Sequence, residues 1–323
     1  MQKQTVKDLQ EMQAWSLERK VAHAIDVLST FVNRMGGLDK VYISCSFGKD
    51  SCVLLDIAKR IYPDILAVYA NTMMEHPSVV KMANEYRNGG GNLLIIKPRM
   101  TPREVFAKYG FPLVGKETSF KIHLIRHNPG CASSQKWMQD RLPNGKVNKF
   151  VLPHKWRWLI DAPYESHNYC CTILKKEPFR LFEKETGRYP ILGMMADESQ
   201  QRKGLWAKRG GCNVFEGNHK ASWPLAIFTE KDIWEYINRY NVKIPDVYWQ
   251  GADRTGCVGC GYGISKAGDC RLKILRNHYP RYYEMIMNYE NNGIKYRQAL
   301  REVLAVDGGY LPDENPFNNL FES

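Results

Sequence analysis

Apolar positions along the chain recur first with the period of a helix and then in short blocks. Val21, Ile25, Leu28 and Val32 stand four, three and four apart, which predicts one buried face on a helix or helix pair over residues 4–34, ended by Gly36-Gly37. Blocks rich in β-branched and aromatic residues follow at 41–43, 65–69, 93–96 and, much later, 189–193; these predict buried strands. Helical stretches stand between them. They cover residues 52–59, residues 78–87 with Ser78 as cap, a capping box at Thr101-Pro-Arg-Glu104 running on to Tyr109, and 229–238 behind Thr229 and an acidic first turn. A further helix is expected from about 271 to 288, while 291–323 carries little signal. Strands alternating with helices define an α/β fold: a parallel twisted sheet flanked by helices, with ligands at the carboxyl ends of its strands. The expected division is a helical segment 1–38, a main domain 39–290 and a tail 291–323.

The first strand runs directly into Ser46-Phe-Gly-Lys-Asp-Ser51 and then into a helix. A strand turning straight into a helix leaves backbone N–H groups converging at the positive end of the helix dipole, a geometry that binds phosphate. Gly48 would let an anion approach the backbone, and Ser46 and Ser51 can donate hydroxyls. The loop is not a Walker motif, because Gly48-Lys49 is followed by Asp50. Asn71 and Thr72, just past the second strand, fall on the same ligand side.

Composition changes this picture in two ways. Lys and Arg exceed Asp and Glu by 46 − 34 = +12, which favours a polyanionic partner without requiring one. Residues 128–169 add Lys136, Trp137, Arg141, Lys146, Lys149, Lys155, Trp156, Arg157 and Trp158. That mixture suits either phosphate contacts with base stacking or an ordinary insertion whose tryptophans fold inward. No apolar run approaches a membrane span and the N-terminus has no signal-peptide core, so the cytoplasm is the expected compartment.

Nine cysteines in such a compartment point to metal or redox chemistry before disulfides. Cys257-Val-Gly-Cys260, set among glycines, has metal-knuckle spacing. Cys170-Cys171 is a vicinal pair whose side chains diverge, which suits the separate iron corners of a 4Fe–4S cluster better than one small zinc ion. Cys270 is a possible substitute ligand, and a three-cysteine set would leave one iron open. Cys45 and Cys52 are expected in the core, with Cys131 and Cys212 structural.

The loop resembles the SxGxDS loop of the PP-loop ATP pyrophosphatases. Cys170-Cys-Thr-Ile-Leu-Lys-Lys-Glu-Pro-Phe179, residues 193–202 (GMMADESQQR), residues 224–237 (PLAIFTEKDIWEYI) and residues 254–260 (RTGCVGC) occur in that order. Together with the loop they resemble the phosphoadenosine-phosphosulfate (PAPS) reductase superfamily over roughly residues 40–285. The resemblance implies a Rossmann-type, PP-loop fold with a C-terminal iron–sulfur cysteine region. It also implies a nucleotide held by Ser44, Ser46, Phe47, Gly48, Lys49, Asp50 and Ser51, with Asn71, Thr72 and Gly193. Relatives often carry an acidic residue at the place of Asn71; Glu75 follows four residues on. Lys175, Lys176 and Arg202 would lend cationic help, and Cys170, Cys171, Cys257 and Cys260 would hold the cluster.

True sulfonucleotide reductases of this superfamily attack sulfate with a cysteine on a C-terminal tail, whereas here the last cysteine is Cys270. The leading expectation is therefore the Dnd- and Ssp-type branch of DNA phosphorothioation: an ATP pyrophosphatase, with ATP and Mg²⁺, that adenylates a phosphate oxygen of DNA. Lys49 would be an electrostatic clamp, Asp50 a magnesium or ribose contact, and Arg202 with Lys49 would stabilise pyrophosphate. Expected partners are a cysteine desulfurase, other sulfur-modification proteins and DNA, with tRNA as another acceptor. The alternatives are a sulfonucleotide reductase served by thioredoxin, and a non-catalytic subunit pinned by its cluster.

Overall fold

A computed structural model describes residues 4–264 and 270–314. The N-terminal pattern resolves into α1 (Val6–Gln13), capped by Thr5 with Asp8 in a capping box, and α2 (Leu17–Met35), capped by Ser16. Val21, Leu28 and Val32 are buried as the spacing required. The chain then enters β1 (Val41–Ser44), α3 (Lys49–Lys59), β2 (Ala67–Ala70), α4 (Pro77–Asn88) and β3 (Leu93–Ile96). The cap of α4 is His76 rather than Ser78: its Nδ1 accepts from Ser78 N, and Pro77 takes the first helical position, where a missing N–H costs nothing. Next come α5 (Pro102–Tyr109), with the expected Thr101–Glu104 box, β4 (Leu113–Val114), α6 (Lys116–His127) and α7 (Ala132–Met138).

A short α8 (Tyr169–Cys171) passes through a π-helical turn, Thr172–Lys176, into α9 (Glu177–Thr186). There follow β5 (Tyr189–Leu192), α10 (Gln200–Arg209), β6 (Asn213–Val214), β7 (Ala221–Ser222) and α11 (Glu230–Tyr240). The six-stranded sheet has the order β3-β2-β1-β5-β7-β6, parallel throughout except for β6 against β7. The chain winds outward from β1 to β3 on one side and from β5 to β7 on the other. The switch point lies between β1 and β5, beside the Ser46–Ser51 loop. Helices α2, α3 and α11 pack on one another over the first core, and the buried Lys20–Asp232 ion pair (2.6 Å) ties α2 to α11.

A second core lies apart from the sheet. It collects α5, α6, the short parallel pair β4 with β8 (Gly261–Tyr262), α12 (Arg271–His278) and α13 (Pro280–Met287). The single helix expected at 271–288 is two, because Pro280 has no N–H and disfavours a helical Tyr279 before it. A hairpin of β9 (Glu290–Asn291) and β10 (Ile294–Lys295) leads into α14 (Tyr296–Ala305). Residues 291–305 are therefore no featureless tail: Tyr296, Ala299, Leu300, Val303 and Leu304 form one buried face, a helical spacing that the sequence carries openly. The basic stretch 128–169 also joins this core. Leu152, Trp156 and Leu159 are buried, and of its three tryptophans only Trp158 is exposed. Among the described residues, no helix is long and apolar enough to cross a membrane.

Candidate active site

A cavity of about 190 Å³ opens at the carboxyl ends of β1 and β2. Ser44, Cys45 and Ser46 line it from β1, Tyr69, Ala70 and Thr72 from β2, and Glu75, Lys175, Phe179 and Thr255 close it. Both strands leave through a left-handed residue that is not glycine, Phe47 at φ 53° and Met73 at φ 60°. Each such turn costs about 1–2 kcal/mol. At Phe47 that cost is offset by complete burial of the ring, edge-on to Tyr69. Phe47 is thus an anchor of the loop, and its side chain turns into the core.

The loop itself is more covered than the sequence suggests. A Cβ at Gly48 would stand 2.7 Å from Thr255 Oγ1 and 3.3 Å from the Tyr248 hydroxyl, so glycine here admits these two side chains onto the turn. Lys49 N donates to the Tyr248 hydroxyl at 2.9 Å, which occupies one of the amides expected to face an anion. Ser51 Oγ donates to Gly48 O, and the Ser46 and Ser51 hydroxyls lie 3.3 Å apart. Lys49 is buried, with Nζ 3.4 Å from Asp50 and 3.2 Å from Glu230. Burial alone would lower its pKa, but Asp50, Tyr248 and Glu230 raise it, so the ammonium keeps its charge. Burial raises the Asp50 pKa against the pull of Lys49.

Arg202 sits on α10 and pairs with Glu198. Neither Lys49, Asp50 nor Arg202 is among the residues lining the cavity. Lys49 thus pairs with Asp50 and Glu230, and Arg202 with Glu198. Gly193 is a packing residue: a Cβ there would stand 3.2 Å from the Asp50 carbonyl oxygen. Asn71 turns back, its Oδ1 accepting from Met73 N at 2.9 Å. Thr72 does reach the cavity, and its N and Oγ1 both donate to the Glu75 carboxylate (2.9 and 2.6 Å).

Behind this cavity lies a small second one, lined by Cys170, Cys171, Cys257 and Cys260 with Met74 and Lys175. Residues 170 and 260, ninety apart in sequence, meet because the second core brings them together. The knuckle is held by Val258 N donating to Met74 O (2.8 Å) and the Tyr296 hydroxyl donating to Gly259 O (2.9 Å). Gly261 permits the close approach of β4; a Cβ would stand 2.4 Å from Pro112 O. Cys171 is pulled well below an ordinary thiol by the hydrogen bond from Cys170 and, against burial, by Lys116, Lys175 and Lys176. The Lys175 pKa is raised, first by Cys257 and then, against burial, by Glu75 and Cys171. Cys270 is not among the lining residues; its Sγ donates to Gly251 O at 3.3 Å.

Lys175 is the residue that lines both cavities. It rides on the π-helical turn, a local widening of the helix that often marks functional sites. The sequence offered it only as a nearby cation. Tyr248 and Thr255 carried no signal of their own, since their role depends on a loop folding back over residues 46–51.

Comparison with known proteins gives the family. The model of the phosphoadenosine phosphosulfate reductase domain matches residues 40–123 and 139–262, and the chain belongs to that family. An adenosine 5'-phosphosulfate reductase of Halalkalibacterium halodurans is 22% identical over 260 residues, covering 79% of this chain and 87% of that protein. One from Geobacillus kaustophilus is 22% identical over 268 residues, covering 81% and 88%. A solved phosphoadenylyl-sulfate reductase of Candida auris, in a phosphate complex, aligns with a TM-score of 0.45 at 14% identity, over 72% of this chain and 87% of its own. The expectation of DNA phosphorothioation is overturned here. These relatives are named for sulfonucleotide reduction, and of the two readings of the aromatic stretch the burial of Trp156 follows the inward-folding one.

Proposed function

We propose that the chain is a sulfonucleotide reductase acting on an adenylyl sulfate. The observation that carries this reading is Lys175, one half-buried lysine shared by the cavity over the sheet and the cavity of four thiols. The nucleotide enters over Ser44, Ser46, Thr72 and Thr255, and Lys175 draws the sulfate toward the thiols. Glu75 balances the ammonium from the other side. The relatives' names supply the reaction class.

A 4Fe–4S cluster fits the four thiols. Four thiols lining one cavity suit a cube whose separate iron corners each take one thiolate. Cys170, Cys171, Cys257 and Cys260 would hold it; when bound it supplies a redox-active iron–sulfur centre whose field tunes the charge on Lys175.

Reduction needs one further thiol, and the other cysteines narrow the choice. Cys45, Cys52 and Cys212 are buried, and burial pushes the Cys45 and Cys212 thiols up to about 11. Cys131 caps α7, its Sγ accepting from Ser134 N, and Cys270 stands at the start of α12 with its Sγ on Gly251 O. Of the two we assign the attack to Cys270, which follows the cysteine knuckle in sequence. Its thiolate attacks the sulfate sulfur, the S–O bond to the adenylate phosphate breaks, AMP leaves with the electron pair, and an S-sulfocysteine forms. A dithiol reductant of the thioredoxin class then attacks the cysteine sulfur, releases sulfite and closes to a disulfide.

Anaerobic protein given adenylyl sulfate and a dithiol should release sulfite and AMP in equal amounts. Cys270→Ser should abolish sulfite while keeping nucleotide binding, and Lys175→Ala should weaken binding at least tenfold. Absence of sulfite from the parent protein, with either adenylyl sulfate or its 3'-phosphorylated form, would overturn the proposal.

A further inference from the structure

Away from both cavities, α6 presents His123 and His127 one turn apart on the same face. Glu165 reaches them from the segment that leads into Cys170-Cys171. One ligand atom from each of the three lies within 4.8 Å of the others. Glu165 Oε2 is 3.1 Å from His127 Nε2 and 3.8 Å from His123 Nδ1. His123 Nδ1 is buried and has no hydrogen-bond partner, an expensive state for an imidazole nitrogen unless something binds it.

Glu165 is held through both its backbone and its side chain. Phe111 N donates to Glu165 O (2.9 Å), and Glu165 N donates to Asn291 Oδ1 (2.8 Å). Its second oxygen, Oε1, lies 3.3 Å from Arg126 Nε, and Arg126 is itself fixed by donating to Ala162 O and Tyr164 O. Oε1 is thereby occupied and Oε2 is left aimed at the two imidazoles. Outer contacts that orient a ligating carboxylate in this way are the usual support of a metal site.

We propose that His123, His127 and Glu165 bind one divalent transition-metal ion of the zinc class. Two imidazoles and a carboxylate are a common zinc donor set, leaving a fourth position for water. The hydrogen bond between His127 and Glu165 holds the site closed without metal, and the ion replaces its proton on binding. Arg126 keeps the site from being strongly negative, so the affinity is expected below that of an all-thiolate site. Occupancy joins α6 to the segment before Cys170, and so fixes the approach of the vicinal pair. The site does not depend on the reductase reading.

The test uses the full chain, its four clustered thiols first filled with iron and sulfide and excess metal removed with EDTA, titrated with zinc chloride by calorimetry and with cobalt(II) chloride by difference absorption. One equivalent of zinc should bind and raise the thermal midpoint. Cobalt should give weak visible bands without the near-ultraviolet charge transfer that thiolate ligation produces. His127→Ala, at a half-exposed position, should keep the metal-free midpoint and lose at least tenfold in zinc affinity; Glu165→Gln should lose as much. His154→Ala, an exposed histidine paired with Asp140, should change neither. No zinc uptake, thiolate charge transfer on cobalt binding, or unchanged affinity in His127→Ala would each overturn the assignment.

Discussion

The cavity over the sheet and the cavity of thiols lie back to back, yet they are built by opposite means. The first has its floor in two local strand exits, Ser44–Ser46 and Ala70–Thr72, each turned by a left-handed residue, and is closed by more distant side chains. It leans on the sheet and on the first core. The second is made of residues that share no element. Cys170-Cys171 end a three-residue helix, and Cys257–Cys260 sit in a loop. The packing of the second core, with Phe106, Phe111, Tyr164 and Tyr296 among its rings, brings them together. A locally built site tolerates distant damage, whereas one assembled by tertiary packing should fail with its core.

The sharpest way to break this contrast is Phe111→Ala. Its ring meets Tyr296 at 4.9 Å and Tyr164 at 5.8 Å between centroids, and a cavity of that size costs about 3–5 kcal/mol. Urea unfolding should show the loss, and the four clustered thiols should react faster with a thiol reagent while affinity for AMP stays within tenfold. If AMP binding falls in parallel, the two regions are one unit and the contrast is wrong.

Lys20→Met is the reciprocal change, on the sheet side. It leaves Asp232 buried beneath α2 with its partners at Thr229 only, at about 3 kcal/mol. Here thermal stability and AMP affinity should drop while thiol reactivity stays near the parent's.

A smaller, pH-linked effect sharpens the boundary where α4 meets α12. Burial, with Tyr279 edge-on and His278 nearby, holds the His76 pKa down at about 4, against a weaker pull upward from Asp246. The unfolded chain therefore binds a proton that the folded one refuses as pH falls from the ordinary histidine value to about 4, and stability declines across that window. One pH unit below the ordinary value the loss from this group is roughly 1.4 kcal/mol. His76→Asn keeps a capping acceptor and should flatten that limb of the stability profile, measured as urea midpoint against pH; an unchanged slope would locate the titration elsewhere.

Much of the cradle region was legible because its signals are short-range. Alternating blocks, a glycine-turned loop and a Thr-x-x-Glu box each act within a few residues, and β1, α5 and α11 followed them closely. What the local pattern does not carry is set by long-range contact: Glu230 pairs with Lys49 and Glu198 with Arg202, Phe47 turns its ring into the core, and Asn71 turns back to Met73 N. Residues 296–304 were legible and passed over, since their apolar spacing is plainly helical.

By itself, the order of residues determined the strand-and-helix alternation, the loop after β1 and the paired cysteine spacing, because backbone geometry makes periodicity and turn chemistry local properties. Tertiary structure alone decided that Lys175 stands between two cavities, that Tyr248 and Thr255 roof the loop, and that Glu165 meets His123 and His127. Those meetings depend on which faces the two cores bury against each other, and burial is a property of the whole chain.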